Sequence, residues 1–149
     1  MRPRFIVLAL VLSGVWSCSD PPNGQETFDW DELVAELQPP ASERQFQARD
    51  QASLGYRVYG DPVSVELILL HGSGYHSAYF SRLASEIANS CSARVWTPDI
   101  RGHGSRPQRR GDIDYIDQLE DDLVDFSAWV RSINPTATLL IGGHSAGVV

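Results

Sequence analysis

The chain contains no lysine, and this absence excludes two common kinds of site. All 12 basic residues among its 149 residues are arginines. A chain without lysine cannot form a Schiff base with a carbonyl substrate. It also cannot build a P-loop, because the lysine of that motif contacts the terminal phosphates of a nucleotide. We therefore exclude imine chemistry and P-loop nucleotide hydrolysis from the functions of this chain.

Cysteine and positive charge are also scarce. Two cysteines, Cys18 and Cys91, can make neither a disulfide scaffold nor a zinc site of four thiolates. The 19 acidic residues outnumber the bases, and the formal net charge is −7. Because nucleic-acid binding needs clustered cations, we predict no nucleic-acid partner. No pattern in the sequence indicates a metal site or another cofactor.

The N-terminus has the pattern of a bacterial export signal. Two arginines precede an apolar run over residues 5–16, which is too short to span a membrane. The run ends in Val-Trp-Ser-Cys at residues 15–18, which resembles the lipobox of bacterial lipoproteins. That resemblance implies cleavage before Cys18 and lipidation of its thiol, which would attach the protein to a membrane. We expect residues 1–17 to be a signal peptide and the protein to be exported to the cell envelope, either lipid-anchored or periplasmic or extracellular. An ordinary secretory signal and an uncleaved anchor are the alternatives.

The remaining residues predict a flexible tether followed by one folded unit. Residues 18–27 are polar and contain two prolines and a glycine, which is typical of a tether. Residues 28–149 alternate between strand and helix patterns. The predicted strands are 45–49, 55–59, 63–70, 94–97 and 138–141, and the predicted helices are 28–37, 77–89 and 114–132. Because strands and helices alternate from residue 63 onward, we predict an α/β fold with a parallel sheet.

The last predicted strand runs directly into a G-x-S-x-G pattern at residues 143–147. A nucleophilic serine on a sharp turn between a strand and a helix needs empty space beside it. A glycine two positions to either side supplies that space. The same turn places Ser145 at the start of a helix, where partial positive charge favours a developing anion.

Two further glycine-rich segments follow predicted strands, His71–Gly74 and Asp99–Ser105. In open α/β sheets, ligands bind at this edge of the sheet. The first segment can offer one backbone N–H to an oxyanion, and Ala146 can offer another. It lacks the third glycine of a dinucleotide-binding loop, which makes that function a weaker alternative. For His71 we favour a role in holding the loop by hydrogen bonds over direct proton transfer.

These three segments, in this order, resemble the α/β-hydrolase fold family, and most closely its serine aminopeptidase and monoacylglycerol-lipase-like branch. The resemblance covers about residues 45–149. It implies an α/β-hydrolase fold with a parallel-dominated sheet and flanking helices. It also implies a serine hydrolase that cleaves a small acyl substrate, whether ester, lipid or peptide. Carried over by residue, it implies Ser145 as the nucleophile and the backbone N–H groups of Ser73 and Ala146 as the oxyanion hole.

The acid and the histidine of that family follow the nucleophile in the chain. Only four residues follow Ser145, and none of them is Asp, Glu or His. We therefore expect residues 28–149 to be the N-terminal part of a hydrolase domain, truncated after the turn at Ser145 and inactive by itself. A non-catalytic lipoprotein remnant is the alternative. In either case strand 138–141 should form an exposed apolar edge, and the substrate and the oligomeric state stay open.

Overall fold

A computed structural model describes residues 39–90 and 92–145 of the chain. Several predicted features lie outside these residues, namely the signal peptide, the tether, the helix over 28–37, Cys18, Cys91 and Ala146. Among the described helices, none is long and apolar enough to cross a membrane.

Strands and helices alternate along the described chain, as the hydrophobic pattern predicts. In chain order they are β1 (Arg44–Gln47), β2 (Ser53–Tyr59), β3 (Val65–Leu70), a 3-10 helix (Ser77–Phe80), α1 (Ser81–Asn89), β4 (Arg94–Pro98), α2 (Gln118–Ile133) and β5 (Thr138–Gly143). Every predicted strand is present, with boundaries that differ by a few residues. The predicted α/β class is therefore confirmed.

The sheet has the strand order β1-β2-β4-β3-β5. β3 is parallel to both of its neighbours, β4 and β5. β2 is antiparallel to β1 and to β4, so four of the five strands run in one direction. The prediction of a parallel-dominated sheet is confirmed, but the reversal of β2 was not predicted. It follows from the short turn at residues 48–52, because a short connection joins two strands only as an antiparallel hairpin.

The helices differ from the predicted helices at their starts. The helix predicted over 114–132 begins at Gln118, because Asp117 has a φ of 72° and lies in the left-handed region. A residue in that conformation cannot continue a right-handed helix, so the acidic residues before it belong to a loop. The helix predicted over 77–89 is divided into the 3-10 helix and α1.

Apolar side chains pack on both faces of the sheet. On one face the core includes residues of α2, and it is rich in aromatic rings: Phe46, Tyr56, Trp96, Phe126 and Trp129. On the other face the core includes residues of α1, and its buried members are smaller on average: Tyr59, Leu69, Ala84 and Val95. The sheet therefore lies between helices, and it holds its strand ends as a fixed frame for the loops.

A buried ion pair joins β3 to β4 at the amino ends of these strands. Glu66 is 1% exposed, and its two carboxylate oxygens accept hydrogen bonds from Arg94 Nε and Nη2 at 2.8 and 2.7 Å. Trp96 Nε1 and Asn134 Nδ2 donate to the same carboxylate at 2.6 and 2.9 Å. Burial alone would raise the pKa of Glu66, but the hydrogen bonds outweigh burial and lower it. The carboxylate is therefore fully satisfied without water.

The strand β5 lies at the edge of the sheet in the described part of the chain, where it pairs with β3. Leu140 and Ile141 are 49% and 50% exposed. The prediction of an exposed apolar edge is therefore confirmed, and such an edge is a template for association with another strand.

We predict that Glu66→Ala lowers the free energy of unfolding by about 3–5 kcal/mol, because Arg94 would remain buried without its partner. Urea denaturation monitored by tryptophan fluorescence measures this loss. Asp121→Ala is the matched control, since it removes an acid whose pair with Arg49 is exposed, and it should cost much less. A Glu66 variant no less stable than the Asp121 variant would contradict the prediction.

Candidate functional site

Three loops meet at the carboxyl ends of β3, β4 and β5. β3 lies between the other two strands and is parallel to both, so the three loops lie at one edge of the sheet. They are residues 71–76, residues 99–105 and the turn at residues 144–145. The three sequence motifs therefore lie side by side, at the edge where open α/β sheets bind ligands.

Ser145 lies on a sharp turn directly after β5. Its φ is 57°, and its side chain is exposed. A left-handed conformation costs energy in a residue with a Cβ, and such residues concentrate at functional sites. The conformation is the one expected for the serine of a G-x-S-x-G turn.

Gly72 is the place where the first loop touches this turn. A Cβ built on Gly72 would lie 3.1 Å from both Ser145 Cβ and the carbonyl oxygen of His144. The His144 N–H donates to the Leu70 carbonyl at 3.0 Å, which holds the turn against the end of β3. A Cβ at position 72 would make an unusually tight contact with the turn, which would have to shift by a few tenths of an ångström. Glycine therefore favours this close approach.

The first loop makes a tight turn around Ser73. The Tyr75 N–H donates to the Gly72 carbonyl at 3.2 Å, and Gly74 has a φ of 83°. These values fit a type II turn with Ser73 at its second position and glycine at its third. Ser73 is exposed, and none of the backbone hydrogen bonds of the described loops uses its N–H. The second predicted oxyanion donor, Ala146, lies outside the described residues.

His71 ties the first loop to the second. It is 1% exposed, its Nδ1 donates to the Gly72 carbonyl at 2.8 Å, and its Nε2 accepts from the Ile100 N–H at 3.0 Å. Because one nitrogen donates and the other accepts, the ring is neutral with its proton on Nδ1. The expected role of His71 in holding the loop is confirmed.

This hydrogen bond also orients the neighbouring peptide group. The C=O of Gly72 and the N–H of Ser73 belong to one planar trans peptide, so they point in opposite directions. When His71 holds the carbonyl on the buried side, the Ser73 N–H is directed away from the core. His71 is therefore a positioning residue for that N–H.

The second loop is held by charged and polar contacts. Arg101 pairs with Asp50 at 2.9 Å and with Asp122 at 2.6 Å, and its pKa is raised by these carboxylates. His103 Nδ1 lies 3.0 Å from the Arg101 carbonyl. These contacts give the loop a structural role and leave Arg101 without a free charge for a ligand.

Aromatic side chains lie beside the turn at Ser145, and the sequence did not single them out. The ring of His144 lies 5.9 Å from that of Tyr79 and 6.3 Å from that of Tyr75. The two tyrosine rings are 4.2 Å apart and nearly half exposed. In the sequence, Tyr75 and Tyr79 are four residues apart in a segment without acidic residues, and this spacing was the pattern that could have predicted an aromatic pair.

A polar cavity of about 240 Å³ lies beside the second loop, with Glu43, Arg106 and Asp114 in its lining. Ser145 does not line it, so the cavity and the turn at Ser145 are separate features. Among residues 39–90 and 92–145, no cluster of three or more His, Cys, Asp or Glu side chains is placed to hold a metal ion.

We predict that His71 titrates below the ordinary histidine pKa in the folded protein. Burial lowers its pKa most; the Gly72 hydrogen bond and the nearby Asp99 raise it, and His103 and His76 lower it slightly. The stability contributed by the neutral ring is therefore present above the unfolded-state pKa and is lost as pH falls through the folded-state pKa.

Imidazole titration by NMR, in native buffer and in urea, measures the two pKa values of His71. The Ile100 amide signal should move with the native midpoint, because protonated Nε2 can no longer accept its hydrogen bond. A native midpoint equal to or above the one in urea would refute this prediction.

Comparison with known proteins agrees with this arrangement. A family model described as serine aminopeptidase, S33, matches residues 61–149. A probable protein phosphatase methylesterase 1 of Caenorhabditis elegans is 34% identical over an alignment of 82 residues, and the alignment covers 53% of this chain and 21% of that protein. The chain thus spans about a fifth of the length of this relative.

Solved structures share the fold at lower identity. An α/β serine hydrolase without a lid from Xanthomonas campestris is 22% identical, with a TM-score of 0.55 over 73% of this chain and 52% of that one. The α/β hydrolase GrgF from a Penicillium species is also 22% identical, with a TM-score of 0.58 over 70% of this chain and 37% of that one. With the family match over more than half of its length, the chain belongs to the serine aminopeptidase S33 family of α/β hydrolases.

Proposed function

We propose that the protein is a serine hydrolase in which Ser145 Oγ attacks the carbonyl carbon of an ester, lipid or peptide substrate. The observation that carries the proposal is the left-handed backbone of Ser145, held in contact with Gly72. Strain of this kind persists only where surrounding contacts enforce it. Here it presents a hydroxyl at the carboxyl edge of the sheet. The adjacent turn carries the Ser73 N–H, which no backbone hydrogen bond among residues 39–90 and 92–145 uses.

The reaction would proceed by acyl transfer through the serine. The Oγ–C bond forms as the carbonyl electrons move to oxygen, and the leaving group departs with a proton to give an acyl-serine that water then hydrolyses. The negative oxygen of the tetrahedral intermediate needs preorganised donors. The Ser73 N–H is one such donor in this proposal, and the N–H of Ala146 is the second.

The proton on Ser145 needs a base, and the buried His71 is poorly placed to be one. Both nitrogens of His71 are occupied in hydrogen bonds. His103 packs against His71 at 5.5 Å in the second loop. The family places its acid and histidine after the nucleophile, and residues 146–149 contain neither. We therefore propose that residues 1–149 supply the nucleophile and the oxyanion hole and do not turn over substrate without a further histidine and acid.

We expect the protein produced from its own gene to react with a fluorophosphonate probe at Ser145. Labelling followed by peptide mass spectrometry locates the modified residue. Ser145→Ala should abolish labelling, and the isolated 149-residue chain should show no ester turnover. If the protein from its own gene is not labelled, the non-catalytic alternative is supported instead.

Two substitutions at Ser73 distinguish the effect of its backbone N–H on the labelling rate from the effect of its hydroxyl. Ser73→Pro removes the N–H and suits the second position of a type II turn, so it should slow labelling about 10²–10³-fold, as expected for loss of one oxyanion donor. Ser73→Ala keeps the N–H and serves as the matched control. The rate constant of probe labelling is the measurement. Equal rates for the proline and alanine variants would exclude the Ser73 N–H from the oxyanion hole.

A further inference from the structure

We infer that Asp99 is a positioning residue that fixes the far end of the loop carrying the Ser73 N–H. The inference rests on the proposed function, because it assigns Asp99 to the support of the proposed oxyanion hole. The loop in question, residues 72–76, is called the oxyanion loop below. Asp99 directly follows β4 and belongs to the second of the three loops that meet at the site.

The first observation is a direct hydrogen bond from the oxyanion loop's end to Asp99. Asp99 is 5% exposed, and its Oδ1 accepts from the Ser77 N–H at 2.5 Å. Ser77 is 1% exposed and is the first residue of the 3-10 helix that follows the loop. A carboxylate bound to a buried backbone N–H is a strong, charge-assisted anchor.

The second observation is that Asp99 itself is held from two other segments. Its own N–H donates to the Gly55 carbonyl in β2 at 2.7 Å. A Cβ on Gly55 or on Gly104 would overlap with Asp99 Oδ2, so the carboxylate fills the space that these two glycines leave open. Movement of Asp99 would therefore disturb β2 and the second loop. Because Asp99 is held in place by the sheet, it also holds the Ser77 N–H in place.

Together with His71, Asp99 holds the oxyanion loop at both ends. His71 fixes the Gly72 carbonyl at the start, and Asp99 fixes the Ser77 N–H just after the last loop residue. The residues between these anchors include the turn that carries the Ser73 N–H. The position of that N–H relative to Ser145 therefore depends on both anchors.

Asp99 is not placed to orient a catalytic histidine. Among the described histidines, the one whose ring nitrogen pairs with Asp99 is His71, with Nε2 at 4.0 Å from Oδ1. That nitrogen accepts a hydrogen bond from the Ile100 N–H, so it carries no proton to give to the carboxylate. Asp99 acts on the loop backbone and not through proton transfer.

The test measures the loop and the chemistry separately in the protein produced from its own gene. Amide hydrogen exchange of Tyr75, whose N–H donates to the Gly72 carbonyl within the loop, reports the order of the loop. The rate constant of fluorophosphonate labelling reports the oxyanion hole. Asp99→Ala removes the acceptor, whereas Asp99→Asn keeps an oxygen at the same place. Ser77→Pro removes the donor from the other side, at a helix start where proline is tolerated. Glu66→Gln perturbs the buried pair at the opposite end of the sheet and controls for a general loss of stability.

We expect Asp99→Ala and Ser77→Pro to speed exchange of the Tyr75 amide about tenfold or more, because its hydrogen bond to Gly72 closes the turn. We expect both variants to slow labelling about 10- to 100-fold, because a displacement of about 1 Å has effects of that size. Asp99→Asn and Glu66→Gln should stay within a few-fold of the unsubstituted protein in both measurements. If Asp99→Ala fails to fold, Ser77→Pro still tests the inference, since it breaks the same hydrogen bond.

Unchanged exchange of the Tyr75 amide in Asp99→Ala or Ser77→Pro would overturn the inference, as would Asp99→Asn behaving like Asp99→Ala. If Glu66→Gln slows labelling as much as Asp99→Ala does, the effect is one of stability and the inference also fails. Absence of labelling in the unsubstituted protein would overturn the proposed function alone, because the exchange measurement still decides whether Asp99 holds the loop.

Discussion

The contact between Gly72 and the turn at Ser145 determines how the rest of the site is arranged. It follows from the register of two parallel strands, in which Leu70 lies opposite Gly143. Each strand ends there, so the residues that follow must pass one another at close range. The absence of a side chain at position 72 avoids a tight contact at this point. The left-handed backbone of Ser145 and the turn around Ser73 are then brought to one place by sheet pairing.

The two ends of the sheet differ in how their polar groups and backbone are held. At the amino ends, Glu66 and Arg94 satisfy each other in a buried network that includes Trp96 and Asn134. At the carboxyl ends, Ser145 holds a strained backbone conformation, and His71 is kept neutral inside the protein. Strain persists only when surrounding contacts enforce it. The hydrogen bond from the His144 N–H to the Leu70 carbonyl and the close approach of Gly72 are such contacts at Ser145.

Sequence patterns predicted the strands and the three glycine-rich loops well, because apolar runs and glycines are local signals. They did not predict where α2 starts, since the left-handed conformation of Asp117 leaves no mark in a hydrophobic pattern. Sequence patterns also could not predict the hydrogen-bond partners of His71 and Asp99. Ile100 is 29 residues from His71, and Asp99 is 22 residues from Ser77. Only the fold brings such partners together.

In the proposed function, residues 1–149 supply the nucleophile and the electrostatic part of an acyl-transfer site, and the proton-transfer part comes from a further histidine and acid. In serine hydrolases the oxyanion hole and binding alone leave a residual catalysis of about 10³–10⁴-fold over water when the triad is removed. A free serine hydroxyl is a weak nucleophile without a base. On this proposal the two parts are supported differently. The proposed oxyanion side depends on hydrogen bonds between the loops that follow β3 and β4, whereas a base needs only to reach Ser145, which is exposed.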